Sequence, residues 1–173
     1  AHERGYGILI GDTEQDAALE TQLLERFDQH QADGLIFIDS WSDRDFVHDD
    51  DNYPPAIFVN LRNGVGPRNC IAVDHVRAGY EATRHLLDLG YRPVAHISGP
   101  SDWPAAMDRL EGYRRALEDY GIVFDADLVE TGAWEMEAGL SATDRLLDRF
   151  PHLRAIFCAN DLIAAGALHT AMR

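Results

Sequence analysis

The sequence predicts an α/β protein built on parallel sheets, because short apolar runs alternate along the chain with longer segments of helical periodicity. The run "PVAHIS" (93–98) is typical of a buried strand. It is followed by a helical segment (107–122) in which Leu110, Tyr113 and Leu117 recur on one face. Such alternation places helices on both faces of a parallel sheet, and 173 residues can bury a substantial core.

The remaining elements follow the same alternation. Strands are predicted at 5–10, 33–39, 56–60, 70–73, 93–98, 127–131 and 154–159, and helices at 13–31, 75–89, 107–122, 135–150 and 161–172. Thr13 followed by Asp16 resembles a capping box at the start of the first helix. Gly90 and Gly121 are expected to end two helices in the left-handed conformation. The segment "LGYRP" separates two such α/β units, residues 1–89 and 90–173.

The charge of the chain excludes several partners. Asp and Glu number 30 against 15 Lys and Arg, so the net charge of −15 repels nucleic acid.

No apolar run approaches the roughly 18 residues that a membrane helix requires, and no secretion signal is visible. Cys70 and Cys158 lie in apolar runs without metal-ligand spacing, which favours buried free thiols in a reducing compartment. A cytoplasmic location is therefore expected.

Motifs for catalysis are lacking in the sequence. No serine lies in a G-x-S-x-G setting, and no histidine pair has the H-E-x-x-H spacing. "GDTEQD" (11–16) lacks the glycines and the lysine of a phosphate loop. Asp74 and His75 could be drawn as an acid/base pair, but adjacent helical residues point in different directions. We expect neither an enzyme nor a bound metal or cofactor.

The polar candidates lie where predicted strands end, which is where open parallel sheets bind ligands. This group contains Asp74, Asn160 and all three tryptophans of the chain, Trp41, Trp103 and Trp134. Arg109 is a further candidate because it lies near the start of a helix, just after the loop "SGPSDWPAA". Three indoles in strand-end loops suggest flat surfaces for a ring-shaped ligand.

Each candidate also has a structural alternative. The tryptophans could plug loops against the sheet edge, and Arg109 could form a surface ion pair with Asp108 or Glu111. Asp74 and Asn160 could be helix N-caps, a role that remains compatible with ligand contact at a strand end.

The order of three motifs resembles the lactose-repressor-like (LacI/GalR) family of bacterial transcription regulators. The motifs are "RHLLDLGYRPVAHISGP", "RLEGYRRAL" and "AGLSATDRLLDRFPHLRAIFCANDLIAAGAL", and the resemblance extends over essentially the whole chain. It implies a periplasmic-binding-protein-like domain of type I: two doubly wound parallel-sheet lobes joined by a hinge, here incomplete at both ends. A small-molecule effector would bind in the cleft between the lobes.

The resemblance also implies roles and partners. Arg109 is similar to the family's ligand-gripping arginine, Asp74 to a cleft acceptor, Trp134 to a stacking aromatic and Asn160 to a polar contact. It implies a homodimer that binds operator DNA only through an N-terminal helix-turn-helix domain missing from this chain. A periplasmic sugar-binding protein of a transport system is the alternative.

The expected ligand is a sugar or a polyol. A purine-type site of this family would carry arginine and threonine in the loop before Arg109, where this chain has Trp103 and Ala105. The sequence alone leaves open which sugar binds and whether it induces or represses.

Overall fold

The chain divides into two compact units, residues 1–73 and 74–173. A computed structural model describes residues 2–14, 16–38, 54–59 and 70–173. In the first unit the elements are α1 (Ala17–Gln29), β1 (Leu35–Ile38), β2 (Ala56–Val59) and β3 (Cys70–Ile71). The strands form a parallel sheet in the order β1-β2-β3. Leu35 and Phe58 are its buried core, against which Phe27 of α1 packs.

The start of α1 differs from the predicted capping box. Asp16 is itself the N-cap, and its side chain accepts hydrogen bonds from the amides of Ala18 and Leu19 at 2.7 and 3.3 Å. The helix therefore begins at Ala17 and not at Thr13, because the short Asp side chain reaches the free amides of the first turn.

The predicted strand at 5–10 is wrong. These residues form no strand and follow a short 3-10 helix, His2–Arg4. Their apolar side chains are exposed, with 89% of the Ile10 side chain accessible to solvent. A strand requires a hydrogen-bonding neighbour, and the described strands of this unit pair only with one another.

The second unit contains three parallel strands and four helices. They are α2 (His75–Asp88), β4 (Ala95–Ser98), α3 (Pro104–Asp119), β5 (Val129–Thr131), α4 (Met136–Arg149), β6 (Ile156–Cys158) and α5 (Asp161–Ala171). The strand order is β5-β4-β6. Each of these elements was predicted within a few residues. Gly90 and Gly121 follow α2 and α3 with φ of 87° and 66°, as their role as left-handed caps requires.

Strand β4 is buried on both sides because its side chains alternate between two clusters. Ala95 and Ile97 pack in a cluster with residues of α4 and α5, including Leu146. His96 points the other way and stacks on Tyr113 of α3, with 5.4 Å between ring centroids. The parallel sheet with helices on both faces confirms the predicted α/β class.

Helices α2 and α3 cross with their backbones in contact. A Cβ atom added to Gly112 would lie 2.1 Å from the carbonyl oxygen of Val76, and one added to Gly79 would lie 2.3 Å from that of Arg109. The compact unit therefore begins at Asp74 and includes α2, whereas the sequence suggested a division after Leu89. The crossing also fixes the backbone from which the Arg109 side chain projects.

None of the helices in the described part of the chain combines the length and the apolar character needed to cross a membrane.

We predict that Gly112→Ala lowers the free energy of unfolding by about 1–3 kcal/mol, although alanine is the better helix former. The added methyl group forces α2 and α3 apart at Val76. Urea denaturation measures the change. Gly7→Ala is the matched control, because a Cβ atom at Gly7 meets no atom within 4 Å. Equal effects of the two substitutions would contradict the close crossing.

Candidate functional site

Arg109 projects from the second turn of α3 towards the ends of the strands in the second unit. Its Nη1 donates a hydrogen bond to the carbonyl oxygen of Ala159 at 2.8 Å, and its Nη2 lies 3.1 Å from Nδ1 of His75. Its Cζ lies 5.7 Å from the ring centroid of Trp134, within the range of a cation–π contact. The guanidinium is thus held by one carbonyl, one imidazole and one aromatic ring.

The predicted alternative of an ion pair for Arg109 finds no support in the described residues. Glu111 pairs with Arg115 at 2.8 Å, and no ion pair in the described part of the chain includes Arg109. Burial lowers the pKa of Arg109, but an arginine remains charged in a protein. The site therefore holds a half-buried cation whose charge no described carboxylate neutralises by contact.

Ala159 links the site to the end of β6. Its amide donates to the carbonyl oxygen of Ile97 in β4 at 2.9 Å, while its own carbonyl accepts from Arg109. Ala159 is buried, so its carbonyl requires such a donor. The arginine consequently connects α3 to the turn between β6 and α5.

Trp134 and Trp103 come together in the structure, as their positions in strand-end loops suggested. Their ring centroids are 5.8 Å apart and the planes meet at 77°, an edge-to-face arrangement. Trp134 lies directly on Gly99, where a Cβ atom would be 2.1 Å from its Cη2. Its Nε1 is buried and has no hydrogen-bond partner among the described residues. Trp41 lies outside the described residues.

Asp74 and Asn160 are helix N-caps. The side chain of Asp74 accepts from the amide of Arg77 at 2.9 Å, and that of Asn160 accepts from the amide of Ile163 at 2.8 Å. The capping alternative is confirmed for both residues, and their contact with a ligand stays a prediction.

His75 was not among the predicted site residues. Burial is the main cause that lowers the pKa of His75, and the charge of Arg109 lowers this pKa further. The charges of Asp108 and Asp74 raise it. Sequence reasoning paired His75 only with the adjacent Asp74. Its partner in the structure is Arg109, which is 34 residues away along the chain. The close crossing of α2 and α3, signalled by Gly79 and Gly112, is the feature that could have indicated the pairing.

The described residues hold no group of three or more His, Cys, Asp or Glu side chains arranged for a metal ion. Within the described part of the chain, Cys70 and Cys158 form no disulfide bond, and burial raises the pKa of Cys158 to about 11. This thiol is therefore protonated at neutral pH.

Residues 1–173 match the family described as periplasmic binding proteins and sugar-binding domain of LacI family. The chain belongs to this family. It is 31% identical over 175 residues to the transcriptional regulator DegA of Bacillus subtilis, covering 99% of this chain and 52% of the relative. The predicted LacI/GalR resemblance is thus confirmed, and the chain spans about half the length of the curated relatives it matches.

Solved structures of LacI-family regulators share the fold. A sugar-binding regulator from Escherichia coli, complexed with phosphate, superposes with a TM-score of 0.83 at 26% identity, over 99% of this chain and 62% of that one. The regulator CelR in complex with cellobiose gives 0.73 at 28% identity, over 99% of this chain and 53% of that one. This LacI-family chain therefore has the periplasmic-binding-protein-like fold that its sequence predicted.

We predict that Gly99→Ala displaces the Trp134 indole in this LacI-family chain, because the new methyl group would overlap the ring. Near-UV circular dichroism should change, and the free energy of unfolding should fall by about 1–3 kcal/mol. A double-mutant cycle with Trp134→Leu provides the control: with the indole removed, Gly99→Ala should cost less than in the parent protein. Equal costs in both backgrounds would mean that Gly99 does not position Trp134.

Proposed function

We propose that this chain is the effector-binding region of a LacI-type transcriptional regulator and that Arg109 binds a small neutral ligand, a sugar or a polyol. The observation that carries the proposal is the half-buried guanidinium, fixed beside Trp134 and in contact with no described carboxylate. A guanidinium fork donates several hydrogen bonds in fixed directions, which suits ligand hydroxyl groups.

The aromatic surroundings of Arg109 favour a ring-shaped ligand. Trp134 provides apolar surface within reach of the guanidinium, and Trp103 packs edge-to-face against Trp134. Sugar rings present both hydroxyl groups and an apolar face, so an arginine beside indoles complements both. Asp74 and Asn160, the N-caps of α2 and α5, are the further polar groups that we assign to the ligand. The role of Trp41 and closure of two lobes around the ligand stay predictions.

The net charge of −15 favours a neutral ligand over an anionic one. A strongly acidic protein repels anions at long range, although the local charge of Arg109 is positive. A neutral sugar experiences no such repulsion. The family description names sugar binding, and a related regulator is solved with cellobiose, which supports this class of ligand.

In the proposed regulator the effector shifts a homodimer between a DNA-binding and a non-binding state, because it binds one state more tightly. DNA contact is assigned to a helix-turn-helix domain outside these residues, and the location to the cytoplasm. A periplasmic sugar carrier is less well supported, since the relatives that cover the whole chain are regulators. We propose no enzymatic activity.

The test is a binding screen with ribose, glucose, cellobiose, adenine and inorganic phosphate. We expect at least one sugar to raise the melting temperature, since a ligand that binds the folded state stabilises it. Calorimetry should then show that Arg109→Met weakens binding of that sugar by roughly 2–4 kcal/mol, because ligand hydroxyls lose a charged donor.

Arg115→Met is the matched control. Arg115 lies on the same helix, but it is exposed and paired with Glu111. Its replacement should leave sugar affinity within about twofold of the parent, as expected for a surface ion pair. Two results would contradict the proposal: binding of adenine or phosphate without any sugar, or equal affinities in the Arg109→Met and Arg115→Met proteins.

A further inference from the structure

The contact between His75 and Arg109 is a hydrogen bond in one protonation state of the imidazole. Nη2 of Arg109 lies 3.1 Å from Nδ1 of His75, and a guanidinium can only donate hydrogen bonds. Nδ1 must therefore be the unprotonated nitrogen that accepts the bond. The histidine is then neutral and carries its proton on Nε2.

We propose that His75 is a positioning residue for the effector site: its neutral imidazole holds the Arg109 guanidinium for the ligand, and its protonation releases that hold. The inference rests on the proposed function in assigning ligand binding to Arg109. Within it, His75 makes effector affinity depend on pH even though a sugar itself does not titrate.

The geometry gives Arg109 two anchors on different elements. The Ala159 carbonyl holds Nη1 from the end of β6, and His75 holds Nη2 from the start of α2. Two anchors on one rigid planar group restrict both its position and its rotation. With only the Ala159 contact the guanidinium could pivot about Nη1, and binding a ligand would have to reorder it.

Several charged groups act on His75. Arg109 and Asp108 face it from α3, and Asp74 precedes it at the start of α2. Burial and Arg109 lower the pKa of His75, whereas Asp108 and Asp74 raise it, and the outcome is a pKa below the ordinary value. The neutral form thus prevails at neutral pH, and the cationic form appears only as the pH falls through this lowered pKa.

Protonation of His75 converts Nδ1 from an acceptor into a donor. Two donors and two positive charges then face each other, so the Nη2 contact is lost. Arg109-dependent affinity is therefore fully present above the lowered pKa of His75 and declines below it. Burial lowers the pKa of His96, the buried histidine of β4, to about 4, so His96 stays mostly neutral down to about pH 5.

The first experiment measures the protonation of the His75 imidazole and needs no ligand. Histidine-selective nitrogen NMR, with His75 assigned from the missing signal in His75→Asn, should reveal an unprotonated Nδ1 at neutral pH. In Arg109→Met the pKa of His75 should rise, because one lowering influence is removed. A protonated Nδ1, or the same pKa in both proteins, would overturn the inference whether or not any sugar binds.

The second experiment measures affinity for the sugar that binds in the screen of ribose, glucose and cellobiose, between about pH 7.5 and about pH 5, the range in which histidines titrate. His75→Leu removes the acceptor and should weaken binding about five- to tenfold at the upper pH. His75→Asn offers an amide oxygen that does not titrate, so it should restore most of that loss and flatten the pH profile.

His85→Asn is the control, because His85 is an exposed histidine in the last turn of the same helix. It should keep the pH profile of the parent protein. Urea denaturation verifies that each variant is folded. The inference fails if the parent and His75→Asn lose affinity equally on acidification, or if His75→Leu binds like the parent. If none of these sugars binds, the sugar assignment of the proposed function fails, while the NMR result still decides whether His75 is the neutral acceptor that holds Arg109.

Discussion

The hydrogen bond from Arg109 to the Ala159 carbonyl is the interaction on which the candidate site depends. It joins a helix on one side of the sheet to the turn after β6, and it brings a positive charge to the end of the strands. That placement requires the close crossing of α2 and α3, which the small size of Gly79 and Gly112 permits. Packing between two helices thereby determines where a functional group lies.

Among the described residues, the groups that contact Arg109 leave its charge unneutralised. A carbonyl oxygen, a neutral imidazole and an indole ring all stabilise a cation without neutralising it. A carboxylate partner would have bound the same group more strongly, but it would have competed with any ligand. The contacts also limit the rotation of the guanidinium, and in the proposed function this reduces the entropy lost when Arg109 holds a ligand.

Much of the fold could be predicted from the sequence, for reasons that particular elements illustrate. The buried strand β4 and the helix after it were found because a short apolar run and an apolar stripe at helical spacing both indicate burial. Residues 5–10 have an apolar pattern typical of a strand but form no strand. An apolar pattern does not show whether a neighbouring strand is available for hydrogen bonding. The first helix was predicted too long because the sequence did not reveal that Asp16 is the residue that caps it.

The site was only partly predictable. Arg109 was found from its place beside an apolar stripe, and Trp103 and Trp134 from their strand-end loops. The pairing of Arg109 with His75 depends on the crossing of two helices. The contact of Trp134 with Gly99 depends on the path of a loop. Neither of these contacts produces a periodic pattern in the sequence. Asp74 and Asn160 are N-caps, as their structural alternative predicted, and their contact with a ligand stays a prediction.

A crystal structure of the protein with the tightest-binding sugar of the screen tests the central claim most directly. The account predicts a ligand hydroxyl within hydrogen-bond distance of the Arg109 guanidinium, with the bond to the Ala159 carbonyl and the contact to His75 both retained. A sugar bound elsewhere, with Arg109 still held by the same partners and touching no ligand atom, would contradict it.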